Sequence, residues 1–309
     1  MAHEYIAVVG GVNIDIGGQS SAKLIPRDSN PGVLSMGIGG VGRNIAQNLA
    51  LLGADARFLT AFGDDDHAAL IEAGCALSGI DITHALKVPG GATSTYLYIN
   101  DSDGDMALAV NDMAICEKIS PEYLSANRGL LRGASAVLVD TNVPEETIRY
   151  LGRLCEECGV PLFADPVSVS KAVKLKGSLS GLHTLKANRI EAELLSGVSV
   201  TDDQSLTRAA EALLKAGVKR VFITLGQGGV LAADGNESLR VPSMHADVKS
   251  TTGAGDAFTA ALVYCYLKGM TLRETSVFAT AAASVAVESE RAVNPDMSPK
   301  AVMRKVSER

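Results

Sequence analysis

What most constrains this chain is an alternation. Short apolar runs recur along it, YIAVVGGV, ARFLTAFG, SAVLVDTN, VPLFADPV, LHTLKANR and RVFITLGQGG, and the segments between them carry helical patterns. Apolar runs of this length between turn signals read as fully buried strands. Strands that alternate with helices specify a mostly parallel sheet covered by helices on both faces, an α/β fold of three layers. The composition agrees, because 47% of the 309 residues are hydrophobic with no Trp and only 4% aromatics, which makes the core aliphatic and alanine-rich. The expectation is a single α/β domain over residues 1–309.

Two stretches interrupt the pattern. Residues 17–36 are polar and turn-rich, and residues 93–110, TSTYLYINDSDGDMALAV, read as a hairpin turning at Asp103-Gly104. They are expected to meet as a small β lid over the carboxyl edge of the sheet.

Charge and cysteine usage narrow the functional classes. A net charge of −7 without a dense Lys/Arg run argues against a nucleic acid polymer as partner, since phosphate backbones are held by clustered cations. The chain enters an apolar strand at once without a basic leader, and no apolar run reaches the roughly 18 residues of a membrane span, so a cytoplasmic protein is expected. Cys75, Cys116, Cys155, Cys158 and Cys265 are scattered and odd in number, which suits a reducing compartment. Cys155 and Cys158 form a C-x-x-C within a helical pattern, without a second pair for zinc, and read as helix-packing thiols.

Two glycine loops carry the chemistry. In the first, Gly37, Gly39, Gly40 and Gly42 crowd into six residues before a helical pattern. The dinucleotide reading G-x-G-x-x-G needs a strand directly before it and an acidic residue about 20 positions on, whereas this loop follows a polar segment and Asp64, Asp65 and Asp66 come too late. A P-loop would need Lys-Ser/Thr where Arg43-Asn44 stands. What remains is backbone brought close to a ligand, with Asn44 in the next helix's first turn offering both an acceptor and a donor. That suits a polyhydroxylated molecule. The amino-terminal strand reads as ending in Asn13 and Asp15, which point the same way; Asp15 is placed to accept sugar hydroxyls, or else caps a turn.

The second loop is Thr252-Gly253-Ala254-Gly255-Asp256. Its glycines let successive N–H groups converge at a helix amino terminus, where hydrogen bonds and the helix dipole stabilise phosphate-like charge. Asp256, in the first turn, can take the proton of an attacking hydroxyl.

Together the loops resemble the two signatures of the ribokinase-like carbohydrate kinase family over nearly the full chain: Gly39-Gly40-Val41-Gly42-Arg43-Asn44 with Gly53 and Gly63 for the first, Thr252 to Asp256 for the second. The resemblance implies an α/β body of about nine strands with a β lid, an ATP- and Mg²⁺-dependent kinase, and a substrate ribose held by Asn13, Asp15, Gly39, Gly40 and Asn44. By the same resemblance, Asn188-Arg189-Ile190-Glu191 is similar to the family's N-x-x-E, which organises Mg²⁺ and phosphates through water. Thr224, Gly226, Gly228 and Gly229 are similar to its nucleotide loop, and Gly253, Ala254 and Gly255 line the anion site beside the catalytic Asp256.

Further stretches, among them Asn30-Pro31-Gly32, Asn111-Asp112-Met113 and Asp165-Pro166-Val167-Ser168, resemble a nucleoside-phosphorylating branch of the family. Thr93, Ser94, Asn111, Asp112, Asn142 and Lys171 are the polar candidates for the base, with Asn111 and Asn142 favoured as carbonyl acceptors for a ring N–H. The sequence does not reveal the oligomeric state, and pairing of two lids into a homodimer is the expectation carried forward. Two departures stand out. Ser250 replaces the aspartate that commonly opens the second signature, which bears on activation by a monovalent cation, and Ala187 stands where proline is usual.

Overall fold

The computed structural model describes residues 4–308. The chain begins with β1 (Tyr5–Val9), β2 (Asn13–Ser20), β3 (Gly32–Gly39) and α1 (Val41–Leu51), then β4 (Asp55–Leu59), β5 (Ala61–Phe62), α2 (Asp66–Leu77) and β6 (Leu86–Lys87). It continues through β7 (Thr95–Asn100), β8 (Met106–Asp112), α3 (Pro121–Ala126), α4 (Arg128–Gly133), β9 (Ala136–Asp140), α5 (Glu145–Cys158), β10 (Leu162–Asp165) and α6 (Val169–Ala172). The remainder is β11 (Thr184–Asn188), α7 (Arg189–Ser196), α8 (Asp203–Lys215), β12 (Arg220–Thr224), β13 (Val230–Asp234), β14 (Ser238–Val241), α9 (Ala254–Leu267), α10 (Leu272–Val287) and α11 (Pro299–Ser307).

The main sheet has eight strands in the order β14-β13-β12-β11-β10-β9-β1-β4, one fewer than the resemblance suggested. The six strands from β12 to β4 pair in parallel, while β13 and β14 add an antiparallel edge. Successive residues of a strand face opposite sides, and the two cores follow that rule. Ile6 and Val8 pack with Phe58, Leu138 and Phe222 against α1, α9 and α10, whereas Ala7 and Val9 pack with Val137, Leu185 and Val221 against α5 and α8. The five cysteines are free, and Cys155 is buried against α5's own core face.

The amino-terminal strand is shorter than its apolar run. It stops at Val9, so Asn13 and Asp15 do not sit at its end; they begin β2, in a different sheet. The break is at Gly10-Gly11, where a Cβ on Gly10 would lie 2.5 Å from Asp140 Oδ2, so the backbone can pass over that carboxylate only without a side chain.

That second sheet is the lid, four strands in the order β3-β2-β7-β8. It starts at Asn13 rather than near residue 17, and β7 and β8 form the hairpin around a turn in which Gly104 takes φ 91°. The chain enters the lid from the carboxyl end of β1 and leaves it into α1, which fixes it at the carboxyl edge of the main sheet. In the main sheet β1 crosses over to β4 on one side while β9 lies on its other side. The crevice beyond β1 and β9 is therefore a topological switch point, where open α/β sheets bind their ligands.

Candidate active site

Four parallel strands end in polar residues along this crevice: β9 in Asp140, β10 in Asp165, β11 in Asn188 and β12 in Thr224. Gly39 and Gly40 lie opposite, where β3 turns into α1. Gly40 caps α1 at φ 99°, and a Cβ there would lie 2.5 Å from Gly11 O; a Cβ on Gly39 would run into the Asp15 carboxylate. Gly40 thus brings backbone against the hinge where no side chain fits, and Gly39 lies so close to the lid carboxylate that a side chain there would displace Asp15. Asn13 Nδ2 donates to Asp15 Oδ1 at 2.6 Å. Burial raises the Asp15 carboxyl above the usual range, against the opposing pull of that hydrogen bond and of the Arg43 charge.

Asn44, in the first turn of α1, donates from Nδ2 to Asp256 Oδ2 at 2.7 Å. Its own Oδ1 is buried without a partner. An unpaired buried acceptor is costly, and a ligand hydroxyl would satisfy it. Asp256 lies in the first turn of α9, 9% exposed, its carboxyl pushed up to about 7 by burial and then by the neighbouring Asp165 charge, while Asn44 and Lys186 pull the other way.

Helix α9 begins at Gly253, in the left-handed region at φ 82°, without a side-chain cap. A Cβ there would run into Ala292 O, so only glycine admits this turn. No side chain therefore caps the first N–H groups of α9; Ala254 N makes only a long 3.4 Å bond to Thr251 O, and an anionic ligand could be received there. Lys186 lies beneath them: its Nζ is 3.2 Å from Asp165 Oδ2, and a Cβ on Gly255 would be 2.8 Å from that ammonium. Thr259 Oγ1 donates to the same Asp165 oxygen at 2.7 Å. The sequence reading gave neither Lys186 nor Asp165 a role in the site, although Asp165 opens one of the stretches quoted for the resemblance; a Lys inside an apolar strand two residues before Asn188 was the available signal for the other.

Asn188 and Glu191 form a capping box on α7, Asn188 Oδ1 accepting from Glu191 N at 2.9 Å and Glu191 Oε2 from Asn188 N at 2.8 Å. Burial raises the Glu191 carboxyl. Among the described residues no cluster of three or more His, Cys, Asp or Glu side chains could by itself hold a metal ion; a cation carried by phosphates and water needs no such cage. Thr224 ends β12, and Gly226 to Gly229 make a tight turn in which Gly229, at φ 80°, comes against the backbone of Val241 and Pro242.

The base candidates divide. Thr93 is 4% exposed and its hydroxyl is engaged, donating to Asp65 Oδ1 at 2.6 Å and accepting from Gly63 N at 3.0 Å, so it braces the start of α2. Ser94 is buried with its Oγ 3.8 Å from Cys116 Sγ. Asn111 and Asp112 are exposed on β8, Asn111 opposite Tyr96. Asn142 is buried just past β9, donating from Nδ2 to Asp140 Oδ2 at 3.0 Å while its Oδ1 accepts from Lys171 Nζ at 2.5 Å. The carbonyl favoured for reading a ring N–H therefore already accepts one hydrogen bond, from an ammonium.

A buried carboxylate in the first turn of an uncapped, glycine-led helix beside a lidded crevice suits transfer of a phosphoryl group to a hydroxyl. The chain belongs to the pfkB family of carbohydrate kinases, whose model matches residues 3–300. It is 39% identical to the pseudouridine kinase of Escherichia coli strain K12, over 96% of this chain and 94% of that one. It is 27% identical to the guanosine-inosine kinase of Exiguobacterium acetylicum, over 94% and 97%. Arabidopsis thaliana ribokinase, solved in complex with ribose and ATP, superposes with a TM-score of 0.87 at 26% identity, covering 99% of each chain. Among the described residues no helix is long and apolar enough to cross a membrane.

Proposed function

We propose that this kinase transfers the γ-phosphoryl group of ATP, with Mg²⁺, to the 5′-hydroxyl of pseudouridine, residues 1–309 forming one catalytic domain and its lid. The observation that carries the chemistry is Asp256: an acceptor with a pKa of about 7, fixed by Asn44, beside an open helix amino terminus. A general base works best with a pKa near the operating pH. Asp256 takes the proton from the hydroxyl as the phosphoryl group arrives over Gly253, Ala254 and Gly255, whose N–H groups receive the charge. Asn13, Asp15, Gly39, Gly40 and Asn44 hold the ribose. Thr224, Gly226, Gly228 and Gly229 border the nucleotide, and Asn188 with Glu191 orders the hydrated Mg²⁺; when bound, that ion neutralises phosphate charge.

The choice of pseudouridine rests on the 39% identity to the E. coli enzyme. Phosphorylation of another nucleoside is the second reading, favoured by the likeness to guanosine-inosine kinase. ATP-dependent phosphorylation of a panel of pseudouridine, uridine, cytidine, inosine, guanosine and ribose tests both. Highest kcat/KM on pseudouridine is expected, highest kcat/KM on a different nucleoside gives the second reading, and no turnover with any of them overturns both. A homodimer through the lid completes the reading, supported by the apolar outer face of that sheet.

A further inference from the structure

The Asn142 carboxamide has only one orientation open to it. A carboxylate accepts and cannot donate; an ammonium donates and cannot accept. With Asp140 on one side and Lys171 on the other, the nitrogen must face Asp140 Oδ2, at 3.0 Å, and the oxygen must face Lys171 Nζ, at 2.5 Å. A flipped amide would place a donor against a donor and an acceptor against an acceptor.

Both anchors are themselves held. Asp140 is fully buried, and its two oxygens also accept from Gly11 N at 3.0 Å, Gly42 N at 2.7 Å and Asn142 N at 2.8 Å. It is thus tied at once to the hinge into the lid and to the amino terminus of α1. Lys171 is presented by the short helix α6, entered from the turn after β10 where Val167 takes φ 61°, a conformation that a β-branched residue adopts only when its surroundings impose it. Here they do. Val167 N donates to Asp165 Oδ1 at 2.9 Å, and Pro166 O accepts from Thr141 Oγ1 at 2.5 Å.

We propose that Asp140 and Lys171 lock Asn142 so that this corner of the site turns an ammonium and a carboxamide N–H towards its substrate, and therefore selects a base that presents a ring carbonyl there rather than an exocyclic amine. The inference rests on the nucleoside reading above. The remaining Nδ2 hydrogen of Asn142 and the remaining Lys171 hydrogens are what the pocket offers. A uracil ring presents carbonyl oxygens to them. Cytosine presents an exocyclic amine in place of one of those oxygens, which leaves donors facing donors and a buried group unpaired. Uridine and pseudouridine carry the same two carbonyls, so this corner accepts both, and the distinction between them falls to other residues.

The test uses the full-length protein, with nucleoside binding by calorimetry and steady-state kinetics on pseudouridine, uridine and cytidine. Wild type is expected to favour the uracil nucleosides over cytidine by at least tenfold. Asn142→Asp removes the donor and should reduce that preference by about ten- to hundredfold, through nucleoside KM, with ATP KM changed less than twofold. Lys171→Met, which keeps the fold independent of a second carboxylate beside Asp140, should free the Asn142 oxygen and narrow the preference in the same direction. An unchanged uracil-to-cytidine ratio in Lys171→Met, or in both variants, overturns the inference while leaving the nucleoside reading intact. A wild-type protein that binds none of the three overturns that reading and this inference together.

Discussion

Asn44 and Asp256 stand 212 residues apart in the chain and meet in a 2.7 Å hydrogen bond, Nδ2 donating to Oδ2. The bond joins the first turns of two helices, one entered from the lid and one from the glycine loop at Gly253, so the asparagine proposed to hold the substrate also orients the carboxylate proposed to take its proton. An Asp256→Asn variant keeps the shape and an acceptor for Asn44 but loses basicity. We expect kcat to fall by roughly 10²- to 10⁴-fold with nucleoside KM changed little. Turnover within a fewfold of wild type would take Asp256 out of the reaction.

The same carboxyl sets opposite slopes for rate and stability. Its pKa is raised from 3.8 to about 7, so the base form grows as pH rises, and kcat/KM should climb about tenfold per pH unit below 7 and level off above it. Folding runs the other way: the native state holds the proton more tightly than the unfolded chain, so this group's contribution to stability falls between about pH 4 and pH 7. Asp256→Asn removes that loss. The Tm of the variant relative to wild type should rise from pH 5 to pH 8, and a constant difference would show that the native pKa is not raised.

Gly39 offers a cleaner probe of the sugar grip. A Cβ there would run into the Asp15 carboxylate, and its backbone is not in the left-handed region, so Gly39→Ala displaces Asp15 without straining the chain itself. Nucleoside KM should rise about ten- to hundredfold, the equivalent of one lost hydrogen-bonding group, with ATP KM unchanged. Equal changes in both constants would indicate a general loosening of the lid.

Much of this was legible in sequence, for reasons that differ by element. The buried strands announced themselves because a strand covered on both faces has no polar side to show, as in Ala136–Asp140 and Leu162–Asp165. The two glycine loops were legible because close backbone approach admits only glycine. The end of β1 was not, since Val12 and Ile14 continue the apolar run and only the carboxylate of Asp140, 130 positions away, decides that the chain must bend at Gly10. Nor was the antiparallel edge of β13 and β14, whose pairing is set by two turns, at Gly226 to Gly229 and at Asp234 to Glu237, rather than by periodicity. The orientation of Asn142 was out of reach for the same reason, being fixed by Lys171 from 29 residues on.

The loop before α9 leads to an ionic prediction. Ser250 Oγ accepts from Thr252 N at 3.2 Å, and Ser250 N donates to Val287 O, so the residue serves the turn with a neutral hydroxyl. A hydroxyl holds a bare potassium ion less well than a carboxylate does. Replacing potassium by a large organic cation at constant ionic strength should leave kcat within about twofold; a steep dependence would contradict this.

The lid makes the last prediction, because its two faces differ. Cross-strand register aligns Met36, Ile16, Leu97 and Val110 in one row and Leu34, Gly18, Ile99 and Leu108 in the next, an apolar face, while Asp15, Gln19, Tyr96 and Asn111 occupy the other. Near the main body the apolar face is covered by α2, where Ile38 packs on Gly74. Farther out it is bare: Leu34 is 81% exposed, Val110 61% and Met36 59%. A contiguous apolar surface of this kind on a sheet, with the polar face turned to the substrate, is what a second copy of the same lid would cover. In a two-fold contact each substitution enters the interface twice, so a single charge is a strong perturbation. Light scattering should find wild type dimeric and Leu34→Lys shifted to monomer at micromolar concentration, and nucleoside KM should rise as the unpartnered lid loosens. A wild-type protein that is monomeric, or a Leu34→Lys dimer as tight as wild type, would place the interface elsewhere or nowhere.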